Sequence, residues 1–117
     1  MDQTKSVVSD LAQRRCKPIP SGAPALKANE ISEFIGALHG WENRGGEMIV
    51  KTFDFKNYYE TLAFVNAAAW VSHQEDHHPD MEVGYNRCVV KYSTHSVGGL
   101  SENDFICAAK LDALMAR

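Results

Sequence analysis

The sequence predicts an α+β domain: a four-stranded, mostly antiparallel sheet with helices packed on one face, in the order α-β-β-α-β-β-α. Three observations lead there. Two pairs of β-type runs are each broken by a tight-turn signal, Gly45-Gly46 in the first and Asn86 in the second. Strands joined so closely run antiparallel. Segments with helical spacing precede, separate and follow the pairs. Finally, 117 residues with 44% hydrophobic and 23% charged content suit one globular domain rather than a disordered chain.

Residues 1–24 are polar and hold Pro18, Pro20 and Pro24, so this stretch is expected as an extended arm, with the domain proper at 25–117. The first helix is expected to begin near Lys27 or Asn29, with Asn29 as its N-cap, Ile31, Phe34, Ile35 and Leu38 at helical spacing and Gly40 where it ends. Trp41 to Arg44 reads as a short strand, Gly45-Gly46 as a hairpin turn, and Glu47 to Phe55 as the second strand. Asn57 to about Asp76 is the longest helix, with Tyr58, Leu62, Val65 and Ala69 as its apolar stripe and Pro79 closing the segment. Glu82–Tyr85 and Arg87–Thr94 read as two more strands. Gly98-Gly99 is a loop, Ser101 to Asp104 resembles a capping box, and a last helix runs from about Glu102 to Met115.

Composition excludes several functions. With 12 Lys+Arg against 15 Asp+Glu, the net charge of −3 gives no basic face for nucleic-acid phosphates. No apolar run approaches the roughly 18 residues of a membrane helix. The first 16 residues lack an apolar core followed by a small-residue cleavage site, so no signal peptide is expected. Cys16, Cys88 and Cys107 are odd in number and widely spaced, which points to reduced thiols and a cytoplasmic setting. A chain this short leaves about a third of its unfolded surface exposed, so self-association is expected to help it.

Chemistry concentrates in the histidines. His39 sits at a helix end and reads as a surface residue, whereas His73, His77, His78 and His95 invite three readings. His73 and His77 have the i, i+4 spacing of metal ligands, with His95 as a possible third. However, Glu75 stands at the third position of the motif rather than the second, which rotates it about a hundred degrees from where a zinc-protease base sits. Alternatively, the histidines simply complement a helix end. The third reading is acid/base catalysis, since imidazole titrates near neutrality. A rigid His77-His78-Pro79 corner can line two sides of a pocket mouth, and His95 beside Gly98-Gly99 a third.

Several segments then fall into a recognisable order: Glu75-Asp76-His77-His78-Pro79-Asp80, Tyr85-Asn86, Thr94-His95-Ser96, and Gly98 to Phe105. With Leu38-His39-Gly40-Trp41, Phe53 to Tyr58 and Ala63 to Asn66, this set resembles the pterin-4a-carbinolamine dehydratase family over roughly residues 25–117. The resemblance implies catalytic histidines at His77, His78 and His95, with Asp104 as a nearby acid. His77 and His95 would form the acid/base pair, His78 would orient the ring, and Asp104 could set an imidazole tautomer. Many members carry a Glu four residues before the first catalytic histidine; this chain has His73 there, and Glu75 is the candidate to take over its charge. Groups around Met81, Glu82 and Val83, and around Thr94 and Ser96, are expected to meet the pterin.

The implied activity is loss of water from a 4a-hydroxytetrahydropterin to give a quinonoid dihydropterin, with no metal or other cofactor. It would recycle the pterin used by an aromatic amino-acid hydroxylase. The resemblance also implies a homodimer or homotetramer and a rival role, because animal members bind a homeodomain transcription factor as a dimerisation partner. Apolar residues on two faces of the long helix, such as Leu62, Val65 and Ala69 beside Phe64 and Trp70, suggest burial against both the sheet and another subunit.

Overall fold

A computed structural model describes residues 10–115. The hairpin forms as its glycines require. Strand β1 (Glu42–Arg44) turns into β2 (Met48–Asp54) with the Glu47 amide donating to the Arg44 carbonyl. Gly45 and Gly46 occupy the turn at φ +63° and +73°, a pair of left-handed positions that side chains resist. Strand β3 (Asp80–Val83) and β4 (Arg87–Tyr92) form the second pair. All neighbours are antiparallel, in the order β1-β2-β4-β3, so the long β2 and β4 are central. The expected sheet is therefore present. Its third strand begins two residues earlier than the sequence suggested, and its fourth stops at Tyr92.

Alternation places Ile49, Phe53, Cys88, Val90 and Tyr92 on one face of the sheet, all within the buried core. Helices α1 (Ala28–Gly36), α2 (Tyr58–Glu75) and α3 (Glu102–Met115) supply its partners. Phe34 of α1 stacks on Phe105 of α3 at 5.0 Å, and Phe53 meets Phe64 of α2 at 4.6 Å. Phe53, Phe64 and Phe105 are buried and Phe34 is half-buried; full burial of such a ring stabilises by about 1.5–3 kcal/mol. Phe105 has no exposure at all, so Phe105→Ala is the single change that would damage this core most, costing about 3–5 kcal/mol.

Helix boundaries differ from the sequence reading in instructive places. α1 is entered through Lys27, whose amide donates to the Glu30 carboxylate at 2.8 Å, so Asn29 lies inside the helix rather than capping it. α2 starts at the expected Asn57, whose side chain accepts the Glu60 amide. Its buried stripe is Thr61, Phe64, Ala68, Val71 and Glu75, not the Tyr58–Leu62–Val65–Ala69 line. The buried Thr61 hydroxyl ties the helix to the β3–β4 turn at the Tyr85 carbonyl, 3.0 Å away, and also lies 2.9 Å from the Asn57 carbonyl at the start of its own helix. α2 ends at Asp76, in the left-handed conformation at φ +52°, three residues before Pro79. The amides of Asp76 and His77 both return to the Ser72 carbonyl, which closes the helix.

The described part of the arm lies against the domain. Leu11, in a short 3-10 turn at Leu11–Gln13, is only 2% exposed and joins the core. Further on, Lys17 exchanges two hydrogen bonds with the Asn103 side chain: its amide donates at 3.1 Å and its carbonyl accepts at 2.7 Å. The Cys16 amide donates to Glu75 at 2.7 Å.

Candidate active site

The site forms where three element ends meet. Asp76 turns the chain out of α2 and releases His77 and His78 from the helix. Pro79 disfavours helix at His78, which lies outside regular structure, and leads into β3. β4 delivers Thr94 and then His95, which opens a 3-10 turn (His95–Val97) capped by Gly98 at φ +66°. The first turn of α3 delivers Asp104. Because His77 is outside α2, the helical spacing to His73 that a metal pair requires does not exist. His73 remains exposed on α2, its ring tilted 33° against Trp70 at 5.5 Å.

Asp104 is the centre of the arrangement. Its side chain has no exposure, yet every contact is a donor. His77 Nε2 lies 2.6 Å from Oδ1; the Thr94 hydroxyl at 2.7 Å and the Ser101 amide at 3.0 Å donate to Oδ2. That is the pattern of a carboxylate, and it sits in the first turn of α3, where the helix dipole favours negative charge. Thr94 has one hydroxyl proton and gives it to Asp104, so at the 2.8 Å contact with Ser101 the serine hydroxyl donates. The capping box expected at Ser101–Asp104 is half made: Asp104 accepts the Ser101 amide, while the Ser101 hydroxyl turns to Thr94.

A carboxylate on Nε2 requires the proton there, which leaves Nδ1 as the basic nitrogen of neutral His77. The ring is also fixed in orientation. It stacks on Tyr92 at 5.8 Å, with the planes 8° apart. Burial, reinforced by the nearby Cys107 and Cys16 thiols, pushes the Tyr92 phenol far above its ordinary range, so the plate under His77 stays neutral. The His77 side chain is 14% exposed, enough to reach an opening.

That opening is a cleft of about 240 Å³ lined by His77, His78 and His95 together with Asp80, Lys91 and Ser93. The three histidines expected at one pocket mouth are brought together, and Thr94 and Ser96 line the same cleft. Met81, Glu82 and Val83 do not. The earlier start of β3 puts Asp80 at the cleft instead, turns Met81 toward the core, and leaves Glu82 paired with Lys91 at 2.6 Å. Lys91 holds the Glu82 carboxyl below its usual value.

Glu75 also departs from expectation. Its carboxylate is 4% exposed and faces the arm: it accepts the Cys16 amide, meets Arg15 at 3.0 Å and lies 3.8 Å from Lys110. It anchors the arm rather than presenting charge to the cleft. Sequence reasoning missed Asp80, Lys91, Ser93 and the Tyr92 plate. Only Tyr92 carried a signal, since an inward tyrosine two residues before Thr94 shares the sheet face that His77 covers.

A buried carboxylate orienting a cleft-facing imidazole, with two further imidazoles lining the same opening, is chemically able to move protons. The family model for pterin 4 alpha carbinolamine dehydratase matches residues 24–114, and the chain belongs to that family. A relative from Nitrosospira multiformis, named for the same dehydratase, is 58% identical over 97% of both chains. One from Nitrosomonas eutropha, named likewise, is 60% identical over 92% of this chain and 96% of its own.

Among solved structures, a transcriptional coactivator/pterin dehydratase from Brucella melitensis superposes with a TM-score of 0.75 at 36% identity, covering 78% of this chain and 98% of that one. A pterin dehydratase-like protein described as a RuBisCO assembly factor in the alpha-carboxysome is similar at a TM-score of 0.57 and 29% identity, covering 65% of this chain and 89% of that one.

Proposed function

We propose that the protein dehydrates 4a-hydroxytetrahydropterins to quinonoid dihydropterins by histidine acid/base catalysis. The observation that carries this reading is the Asp104–His77 pair, 2.6 Å apart at a cleft that His95 and His78 also line, in a chain of this family. The reaction breaks the bond from C4a to its hydroxyl oxygen and the bond from N5 to its proton. Water leaves, a C4a=N5 double bond forms, and nothing is oxidised or reduced. His77 Nδ1 accepts the N5 proton. His95, exposed to solvent and able to be recharged there, gives its proton to the leaving hydroxyl. His78 orients the ring, and Thr94 and Ser96 frame it. Each positioned transfer contributes about 10²–10⁴-fold.

In this reading the protein returns the pterin used by an aromatic amino-acid hydroxylase, works in the cytoplasm without a metal or other cofactor, and assembles as a dimer or tetramer. A second reading, a binding module for a protein partner, draws on Tyr59 and Trp70, which are 81% and 60% exposed on α2, and on the coactivator and assembly roles named for the two structural relatives. Decay of a 4a-hydroxytetrahydropterin, followed with purified protein and no partner present, separates the two. Acceleration supports the enzyme, and an unchanged spontaneous rate leaves the binding module.

A further inference from the structure

Two of the three cysteines meet where the arm crosses α3. Cys16 on the arm and Cys107 on α3 are 91 residues apart in sequence, yet their sulfurs lie 3.6 Å from each other and both are free thiols. Their contacts to carbonyls are longer: the Cys16 sulfur to Asn103 at 3.7 Å and the Cys107 sulfur to His77 at 3.9 Å. Backbone on both sides of the Cys16 side chain is held, since Glu75 accepts the Cys16 amide and the Asn103 side chain clasps both backbone polar groups of Lys17. The two thiols are therefore set opposite each other by contacts that the acid/base chemistry of the cleft does not use. Cys88 lies buried on β4 with no thiol contact among the described residues.

The two are placed differently for reaction. Cys107 has no exposure, whereas Cys16 is half-buried and lines an open cleft of about 450 Å³, so a small oxidant reaches Cys16 first. The contact with Cys16, with burial behind it, pushes the Cys107 thiol far above its ordinary range, so Cys107 keeps its proton while Cys16 attacks. A disulfide needs the sulfurs about 2.0 Å apart. Residues 14–20 of the arm carry no regular structure that would resist so short a closing movement. We propose that Cys16 and Cys107 form a redox latch: a hydroperoxide oxidises them to a disulfide that fastens the arm to α3, and a dithiol reductant releases it.

The steps balance. The Cys16 thiolate attacks one peroxide oxygen, the O–O bond breaks, and the departing oxygen takes up a proton as water (or as an alcohol from an organic peroxide). Cys16 is left as a sulfenic acid. Cys107 then attacks the Cys16 sulfur. The S–S bond forms, the S–O bond breaks, and the hydroxide leaves with the Cys107 proton as water. Two thiols lose two electrons and the peroxide gains them. In the reverse direction a dithiol attacks the disulfide, becomes a disulfide itself, and returns both sulfurs to thiols. The resting state in a reducing compartment is thus the open pair, as found here.

The test treats the reduced, full-length protein with a few equivalents of hydrogen peroxide. Thiols titrated in denaturant should fall from three to one, with a mass loss of two hydrogen atoms and a Cys16–Cys107 cross-link in the peptide map. Trypsin cleavage after Arg14 and Arg15 should slow, and the thermal midpoint should rise by about 10 °C because a long loop is closed. Dithiothreitol should reverse every change. Cys16→Ser should leave both remaining thiols unoxidised, and Cys107→Ser should stop at a Cys16 sulfenic acid that a cyclic 1,3-dione traps. None of these readouts depends on pterin turnover, and the wild-type peptide map decides the pairing even where a variant fails to fold. Three thiols surviving peroxide, a cross-link through Cys88 or between chains, or Cys16 oxidised to a sulfinic acid beside a free Cys107 overturns the pair. A Cys16–Cys107 disulfide that leaves trypsin cleavage and the thermal midpoint unchanged overturns the latch.

Discussion

Replacing Asp104 by Asn keeps the shape of the side chain and tests the tautomer argument directly. The carboxylate accepts three donors: His77 on one oxygen, Thr94 and Ser101 on the other. An amide has one oxygen and one NH₂. Its oxygen belongs on the side where two donors converge, one of them the immovable Ser101 amide. The NH₂ then faces His77 Nε2, which must give up its proton to accept. Neutral His77 becomes the Nδ1–H tautomer and loses the basic nitrogen that should take the N5 proton.

One charge-assisted hydrogen bond is lost, worth about 1.5–3 kcal/mol of stability. Turnover should fall about 10²–10⁴-fold, the contribution of one positioned proton transfer. Urea unfolding gives the first quantity and stopped-flow turnover the second. Nitrogen-15 NMR of the His77 ring should show the proton moving from Nε2 to Nδ1. A folded Asp104→Asn protein with wild-type turnover, or one whose His77 tautomer is unchanged, would refute the reasoning.

Other outcomes follow from the same geometry. His77→Ala and His95→Ala should each lower turnover by about ten- to a thousand-fold with circular dichroism unchanged, whereas His73→Ala, at a ring that lies against Trp70 and outside the cleft, should have little effect; equal losses in all three would count against the assignment. Stability should decline as pH rises above about 8, through the unfolded cysteine and then tyrosine ranges, because Tyr92, Cys88 and Cys107 have pKa values raised in the fold and the unfolded chain loses those protons first. Below that window the contribution is fully present, so chemical denaturation midpoints should be flat in this respect to pH 8 and then fall; a rise would contradict the assigned burial. Light scattering at micromolar concentration should give a mass well above 13.0 kDa, since α2 leaves Tyr59 and Trp70 uncovered; a clean monomer would remove the assembly proposal.

Local chemistry made much of this legible in advance. Gly45-Gly46 announced a hairpin because few other residues tolerate two successive left-handed positions. Asn57 announced the start of α2, and the ordered His-His-Pro and Thr-His motifs announced the cleft. What stayed hidden depends on contacts distant in sequence.

The buried stripe of α2 was misjudged because tyrosine, leucine, valine and alanine surround that helix, so periodicity alone did not say which side meets the sheet. Thr61 and Glu75 belong to the stripe only because Tyr85 and the arm satisfy their polar atoms. Asp76 ends α2 where the sequence placed its end, but it does so in a left-handed conformation that acidic residues take less readily than glycine, and that turn removes the His73–His77 face. Asp104 looked like a capping acid and is one, but the same carboxylate also holds His77, from 27 residues earlier in the chain.

The most direct measurement is stopped-flow decay of a 4a-hydroxytetrahydropterin with wild-type protein and with the His77→Ala, His95→Ala double variant, both verified as folded. The account predicts that wild type accelerates decay well beyond the spontaneous rate and that the double variant returns it nearly to that rate. Equal acceleration by both proteins would contradict the claim that these imidazoles carry the protons, and no acceleration by either would contradict the dehydratase reading itself.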